Sequence, residues 1–258
     1  MRALVTGGAK RIGREIALYL ARRGADVAVH YSSSRAEAED TAATIRALGR
    51  KAVLLQADRL DEDAVAGLVP AAIEAFGGPL TVLVNNASIF EYDTVHSATR
   101  QSWDRAIGSN LRAPFLLTQA FAAHAPQALT DANCEPLAQA MILNMIDQRV
   151  WKTTPEFMSY TIAKMGLWAM TQTTAQALAP HIRVNAIGPG PTVQGVRQSD
   201  IHFAKQRAAT ILQRGAGPAD VTAALGFFLD SPAVTGQMIA VDGGQHLAWA
   251  TPDVLGVE

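Results

Sequence analysis

The chain has one cysteine in 258 residues, so no internal disulfide can form. Its six histidines are scattered, and no Cys/His set stands at metal-ligand spacing, so no metal is expected. Neither sign of charge prevails: 22 Lys and Arg face 23 Asp and Glu, a net charge of -1. That balance gives no field to gather nucleic acid or an anionic membrane, and neither is an expected partner. Charged residues are only 17% of the chain and aromatics 6%, and the basic residues form no stripe. No apolar run approaches the roughly 20 residues of a membrane span. A strand-like run starting at residue 2 leaves no room for a targeting peptide. The expectation is a soluble, cytoplasmic protein of a reducing compartment. What is present is 49% hydrophobic residues with 20 Gly and 12 Pro, a globular composition.

Short apolar runs alternate with longer Ala-rich stretches. Strands are expected at residues 2–6, 26–31, 51–57, 80–84, 138–145, 182–187 and 238–241. Helices are expected at 12–23, 35–48, 62–76, 102–123, 157–178 and 221–229. The strand runs are apolar almost throughout, as in a parallel sheet covered on both faces. Strand–helix alternation implies right-handed βαβ crossovers. The fold class is therefore α/β: one doubly wound Rossmann-type domain over 1–258, with about seven parallel strands flanked by helices. Two stretches lack periodicity. Residues 126–136 read as a surface insertion carrying Cys134, and 188–215 as a substrate flap, with 248–258 left as a C-terminal tail.

The first strand runs into Thr6-Gly7-Gly8-Ala9-Lys10-Arg11-Ile12-Gly13 and then a helix. A glycine-rich strand-to-helix turn brings backbone N–H groups to a pyrophosphate, and its place at the first βα junction makes the motif telling. NAD sites place an acid after the second strand, and NADP sites replace it with cations and hydroxyls. Here His30-Tyr31 is followed by Ser32-Ser33-Ser34-Arg35, with no carboxylate before Glu37. The cofactor is read as NADP(H), with Arg11, Ser32, Ser33 and Arg35 near its 2′-phosphate. The same serines also read as a helix N-cap, and both readings can hold.

Tyr160 and Lys164 are four residues apart and share a helix face. A lysine there can hold the nicotinamide ribose and lower the pKa of the tyrosine by its charge. Asp147 lies thirteen residues before Tyr160 at a strand end. With Asn85-Asn86-Ala87, Asn110, Pro189-Gly190 and Asp242-Gly243-Gly244, these motifs resemble the short-chain dehydrogenase/reductase superfamily from residue 2 to about 247. The resemblance implies Tyr160 as general acid, Lys164 as its tuner and Asn110 as holder of a relay water. Asp58 would meet the adenine. The implied cofactor contacts are Gly7, Lys10, Arg11, Ile12, His30, Tyr31, Ser32, Ser33, Asp58, Arg59, Asn86, Ala87, Ser88, Tyr160, Lys164, Pro189 and Gly190.

Three departures mark a branch. Arg11 replaces a small residue of the turn, Asp147 replaces the usual serine, and Ser88-Ile89-Phe90 follows the asparagine motif where a glycine is usual. All three resemble the pteridine reductase and dihydromonapterin reductase branch, which reduces pterins with NADPH. That implies Asp147 and Tyr160 as an acid pair, with Ser88 and Phe90 lining the substrate slot. Chemistry agrees: a carboxylate repels the alkoxide formed from a carbonyl, whereas a C=N bond needs a proton on nitrogen. Asp147 also reads as a loop cap and Phe90 as core packing. The expected activity is NADPH-dependent reduction of a pterin-like N-heterocycle. A carbonyl or 3-oxoacyl-thioester reductase is a second reading, which Asp147 argues against. A catalytically silent NADP(H)-sensing regulator is a third, opposed by the intact Tyr160, Lys164 and Asn110. The family implies a homotetramer, and Ala-rich faces on 102–123 and 157–178 fit burial on two sides.

Overall fold

The computed structural model describes residues 1–195 and 198–251. Apolar Arg2–Val5 forms β1 and leads through the glycine turn into α1 (Arg11–Arg22). Then follow β2 (Asp26–Tyr31), α2 (Arg35–Ala47), β3 (Ala52–Gln56), α3 (Glu62–Phe76) and β4 (Val82–Asn85). The second half runs α4 (Arg100–Ile107), α5 (Ala113–His124), β5 (Leu129–Thr130), β6 (Pro136–Leu137) and β7 (Ala140–Met145). It ends with α6 (Met158–Leu178), β8 (Ile182–Pro189), α7 (Asp200–Ala208), α8 (Pro218–Asp230) and β9 (Met238–Val241). Seven strands form one parallel sheet in the order β3-β2-β1-β4-β7-β8-β9. The order reverses direction between β1 and β4, and in such a sheet ligands bind at the strand C-termini beside that reversal.

The core has two layers. Ile16, Leu20, Ile45, Leu225 and Phe228 cover one face of the sheet, and Val65, Leu68, Leu117, Phe121 and Ala175 the other. The central strands are buried end to end, which is why their sequence is continuously apolar and not alternating.

One expectation needs correction, and two stretches carry more structure than their sequence shows. The helix read over 102–123 is two α-helices joined by a π-turn at Gly108–Arg112, with Pro114 in the first turn of α5. A proline is tolerated in a first turn, where its missing N–H has no helical partner to lose. The insertion 126–136 is not structureless: β5 and β6 pair antiparallel, and Cys134 is exposed. The flap carries α7, and Arg207 ties its ends together by donating to the carbonyls of Pro191 at 2.8 Å and Gly215 at 2.9 Å. Residues 196–197 of the flap and 252–258 of the tail lie outside the described residues. Of the rest of the tail, Trp249 is exposed. No described helix is long and apolar enough to cross a membrane.

Candidate active site

The turn after β1 is built for close approach. Gly7 has φ +61°, and a Cβ on Gly13 would sit 2.1 Å from the Gly7 carbonyl oxygen, so α1 can pack on the turn only with glycine there. Thr6 Oγ1 accepts from the N–H groups of Asn86 at 2.9 Å and Ala87 at 3.0 Å. Asn86 returns its amide to the Thr6 carbonyl at 2.8 Å. The 86–88 loop and the turn are thus one unit. Lys10, the N-cap residue of α1, makes no side-chain cap bond, and the first helical turn carries no acid. Its leading N–H groups, including those of Arg11 and Ile12, are therefore open to an anion.

Several implied cofactor contacts sit elsewhere than the sequence places them. His30 is 1% exposed and works inside the turn: its Nδ1 accepts from the Gly7 N–H at 3.1 Å, and its Nε2 donates to the Ala57 carbonyl at 3.2 Å. Burial lowers its pKa to about 4, so at neutral pH it is a neutral pin and offers nothing to a ligand. Tyr31 is also buried. Arg11 does not turn toward residues 31–35. With φ +55°, it sends its guanidinium to the flap, donating to the carbonyls of Gln194 at 2.6 Å and Val193 at 3.0 Å. Lys10 instead reaches the start of α2 and pairs with Glu37 at 3.2 Å. Ser34 takes the N-cap position of α2 without a side-chain cap bond, solvated Arg35 pairs with Glu39 at 2.9 Å, and Ser32 and Ser33 are exposed. Asp58 is exposed, and the adjoining Arg59 is partly buried. Gly190 N–H donates to the Val241 carbonyl at 3.0 Å, closing β8 onto β9 beside Pro189.

The second cluster comes together as expected. Tyr160 Oη donates to Asp147 Oδ2 at 3.0 Å. Asp147 Oδ1 accepts from the Arg149 N–H at 2.8 Å, so the residue caps the turn at Gln148–Val150 and also meets the tyrosine. The reading of Asp147 as a loop cap holds, and the same carboxyl also contacts Tyr160. Lys164, 2% exposed, donates to the Met145 carbonyl at 2.7 Å, with its ammonium 5.6 Å from the centre of the Tyr160 ring.

The electrostatics differ from the expectation that Lys164 lowers the tyrosine pKa. Burial and the Asp147 charge push Tyr160 well above its ordinary value of 10. Burial also raises Asp147, against the pull of the Arg149 N–H and charge, the Tyr160 hydroxyl and Lys164. Burial lowers Lys164 to about 8, with Asp147 opposing the drop and Arg59 adding to it. Burial and the adjacent carboxylate outweigh the opposing pull of the Arg149 charge and the Ser88 hydroxyl.

Asn110 is fully buried in the π-turn. Its Oδ1 accepts from Ser88 Oγ at 2.9 Å and from the Ile89 N–H at 3.0 Å, and its Nδ2 donates to the Ile89 carbonyl at 2.9 Å. The amide braces the loop at Ser88 and Ile89. Phe90 is not core: it is 45% exposed, stacks on Phe157 with centroids 4.2 Å apart, and meets Tyr160 edge-on at 4.7 Å.

The sequence marks Asn85 and Trp151 without their partners, and does not mark Asp93, Phe157 and Thr171. Asp93, 3% exposed, accepts from the Ser159 N–H at 3.1 Å and so fixes the start of α6. Asn85, Asn144 and Thr171 form a buried chain under the site, with both links 2.9 Å. Phe157 and Arg149 flank the pair, and Trp151 packs against His246 at 5.2 Å. Asp93 lies 66 residues from the N–H it accepts, so no local signal marks it. The aromatic and buried amide partners carry none without the fold. Among the described residues no acid, His or Cys cluster could hold a metal.

A family model described as enoyl-(acyl carrier protein) reductase matches residues 7–246. The chain is a short-chain dehydrogenase/reductase. A FolM alternative dihydrofolate reductase 1 from Brucella suis, solved in complex with NADP, is similar at 43% identity and a TM-score of 0.90, over 98% of both chains. A 3-oxoacyl-[acyl-carrier-protein] reductase of Staphylococcus aureus is 32% identical over 95% of this chain and 98% of its own. An uncharacterised oxidoreductase of Methylorubrum extorquens is 33% identical over 94% of this chain and 96% of its own. The seven-stranded sheet is that of this family, and the protein is an oxidoreductase.

Proposed function

We propose that this short-chain reductase takes NADPH and reduces a C=N bond of a pterin-like heterocycle, as from a dihydropterin to a tetrahydropterin. The uncapped start of α1 and the glycine approach fit a pyrophosphate, and exposed Ser32 and Ser33 with Lys10 fit a 2′-phosphate. Lys164 would hold the nicotinamide ribose. When bound, the cofactor supplies hydride to a ring carbon.

The observation that carries the reading is the 3.0 Å contact between Tyr160 and Asp147. It holds the phenol neutral, so Tyr160 keeps a proton to give. Reduction of C=N places hydride on carbon and a proton on nitrogen, and this pair stands ready to deliver that proton. Lys164, with its ammonium 5.6 Å from the Tyr160 ring centre, would steady the phenolate left behind. Asp147 as a carboxylate also suits the N–H edge of an aminopyrimidine ring. The Phe90–Phe157 stack would form the aromatic wall of the slot, with Ser88 at its floor and Asn110 bracing the loop. Similarity to a protein described as an alternative dihydrofolate reductase supports the substrate class. Asp147 weighs against the carbonyl reductions of the more distant relatives, because a carboxylate would repel the developing alkoxide.

The test is NADPH oxidation with dihydrobiopterin and dihydromonapterin beside aldehydes, ketones and acetoacetyl thioesters. Turnover on the pterins is the expected result, and turnover on carbonyls alone would overturn the reading. We further propose a cytoplasmic homotetramer. Phe115 on α5 with Ile162 and Met165 on α6 leave apolar surface exposed on helices whose other sides pack on the sheet.

A further inference from the structure

Arg11 opens α1, at the turn proposed to hold the pyrophosphate, yet its side chain serves another part of the molecule. Its guanidinium donates to two successive flap carbonyls, Val193 at 3.0 Å and Gln194 at 2.6 Å, 182 and 183 residues along the chain. A charged donor makes these stronger than neutral hydrogen bonds. Arg11 also holds φ +55°, a left-handed conformation that a residue with a Cβ keeps only where its surroundings hold it there. Beyond the contact the flap is braced. Gln194 donates from Nε2 to the Gln198 carbonyl at 2.7 Å and to Asp200 Oδ1 at 2.9 Å, which ties the contact point to the start of α7. From the end of α7, Arg207 reaches Pro191 and Gly215. These bonds join residues 193–194 and α7 into one piece. The flap leaves the sheet at the end of β8, beside the proton-donating pair: a Cβ on Gly188 would lie 3.3 Å from the Gln148 nitrogen and 3.4 Å from the Asp147 carbonyl carbon.

We infer that Arg11 is a positioning residue: it latches the flap to the cofactor turn and so fixes where α7 stands beside the substrate slot. One end of the latch is the first residue of α1, and the other is the segment that springs from beside Asp147. Both terminal nitrogens of the guanidinium reach the flap, so the side chain holds the flap and does not read the 2′-phosphate near Ser32 and Ser33. The effect on substrate rests on the proposed pterin reading, whereas the latch itself does not.

The experiment reads the flap directly. Amide hydrogen exchange is followed by mass spectrometry on the protein without ligands, in wild type, Arg11→Gly and Arg11→Met. Glycine suits φ +55°, so R11G removes the latch without straining the turn. Amides of residues 198–215 are expected to exchange about tenfold faster in both variants, the size of one lost bond to a charged group, while those of β2 and α2 hold. In turnover, the KM for the dihydropterin should rise about tenfold in R11G with kcat within about twofold of wild type, and the preference for NADPH over NADH should hold. Flap exchange as slow in R11G as in wild type would overturn the inference. So would unchanged exchange with a lost NADPH preference, which would return Arg11 to the 2′-phosphate. Should R11G fail to fold, R11M against wild type decides by the same two readouts. The exchange needs no substrate, so inactivity on pterins would sink the substrate reading while the latch is still decided.

Discussion

Tyr160 faces a carboxylate at 3.0 Å and an ammonium only across its ring, and this order of neighbours decides which way it handles a proton. It favours the neutral phenol and opposes the phenolate that an alcohol oxidation would need as its base. His30 shows the same principle used for architecture. Its folded pKa of about 4 lies below the ordinary 6.5, so on acidification the unfolded chain takes up a proton before the folded one does. The pin's contribution is complete above pH 6.5 and lost as the pH falls toward 4, a difference on the order of 3 kcal/mol. The thermal midpoint of the wild type should therefore drop from pH 7 to pH 4.5 more steeply than that of His30→Asn. Equal slopes would show that His30 does not carry this linkage. Lys164 works in the opposite range: its folded pKa near 8 lies below 10.5, so its burial costs stability below pH 8 and that cost fades toward pH 10.5.

At the scale of elements, the π-turn at Gly108–Arg112 is the feature on which the substrate side depends. A π-turn widens the helix by one residue, and here it faces Asn110 inward to brace Ser88 and Ile89. Asn110→Ala removes three hydrogen bonds to that loop and leaves the Ile89 groups unpaired. The expected cost is about 1–3 kcal/mol, read as a fall of several degrees in the thermal midpoint, with a raised KM for the pterin. An unchanged KM would show that the loop stands without Asn110. Strands and most helices were legible because a buried parallel sheet forces continuous apolar runs and helices a 3.6-residue period. The π-turn was not, since an extra residue in one helical turn leaves the periodicity almost intact. Gly7, Tyr160, Lys164 and Asp147 were legible because each stands at a fixed place in a motif, Gly7 in the turn after β1 and the others at set spacings around Tyr160. His30 and Arg11 were located in the sequence but not in their partners: the sequence places them beside the cleft, and only the fold shows one turned inward and the other reaching 183 residues along the chain to Gln194. Asp93 and Arg149 act through backbone groups far apart in sequence or around a tight loop, and spacing encodes neither.

At the scale of the molecule, a net charge of -1 offers no long-range pull on an anionic cofactor, so recognition rests on local groups at the open end of α1 and after β2. The proposed tetramer is likewise a matter of surface rather than charge, through the exposed apolar residues of α5 and α6. Sedimentation at micromolar concentration should give four times the 27.4 kDa chain mass, and a monomer would refute the assembly. The central claim is that Asp147 and Tyr160 together deliver the proton to a ring nitrogen. The most direct test is the dihydropterin turnover of Asp147→Ala against wild type, with NADPH affinity measured alongside. Loss of about two to four orders of magnitude in kcat, with NADPH bound as tightly as before, is the expected result. Turnover that survives the substitution would show that the carboxylate beside Tyr160 takes no part in the reaction.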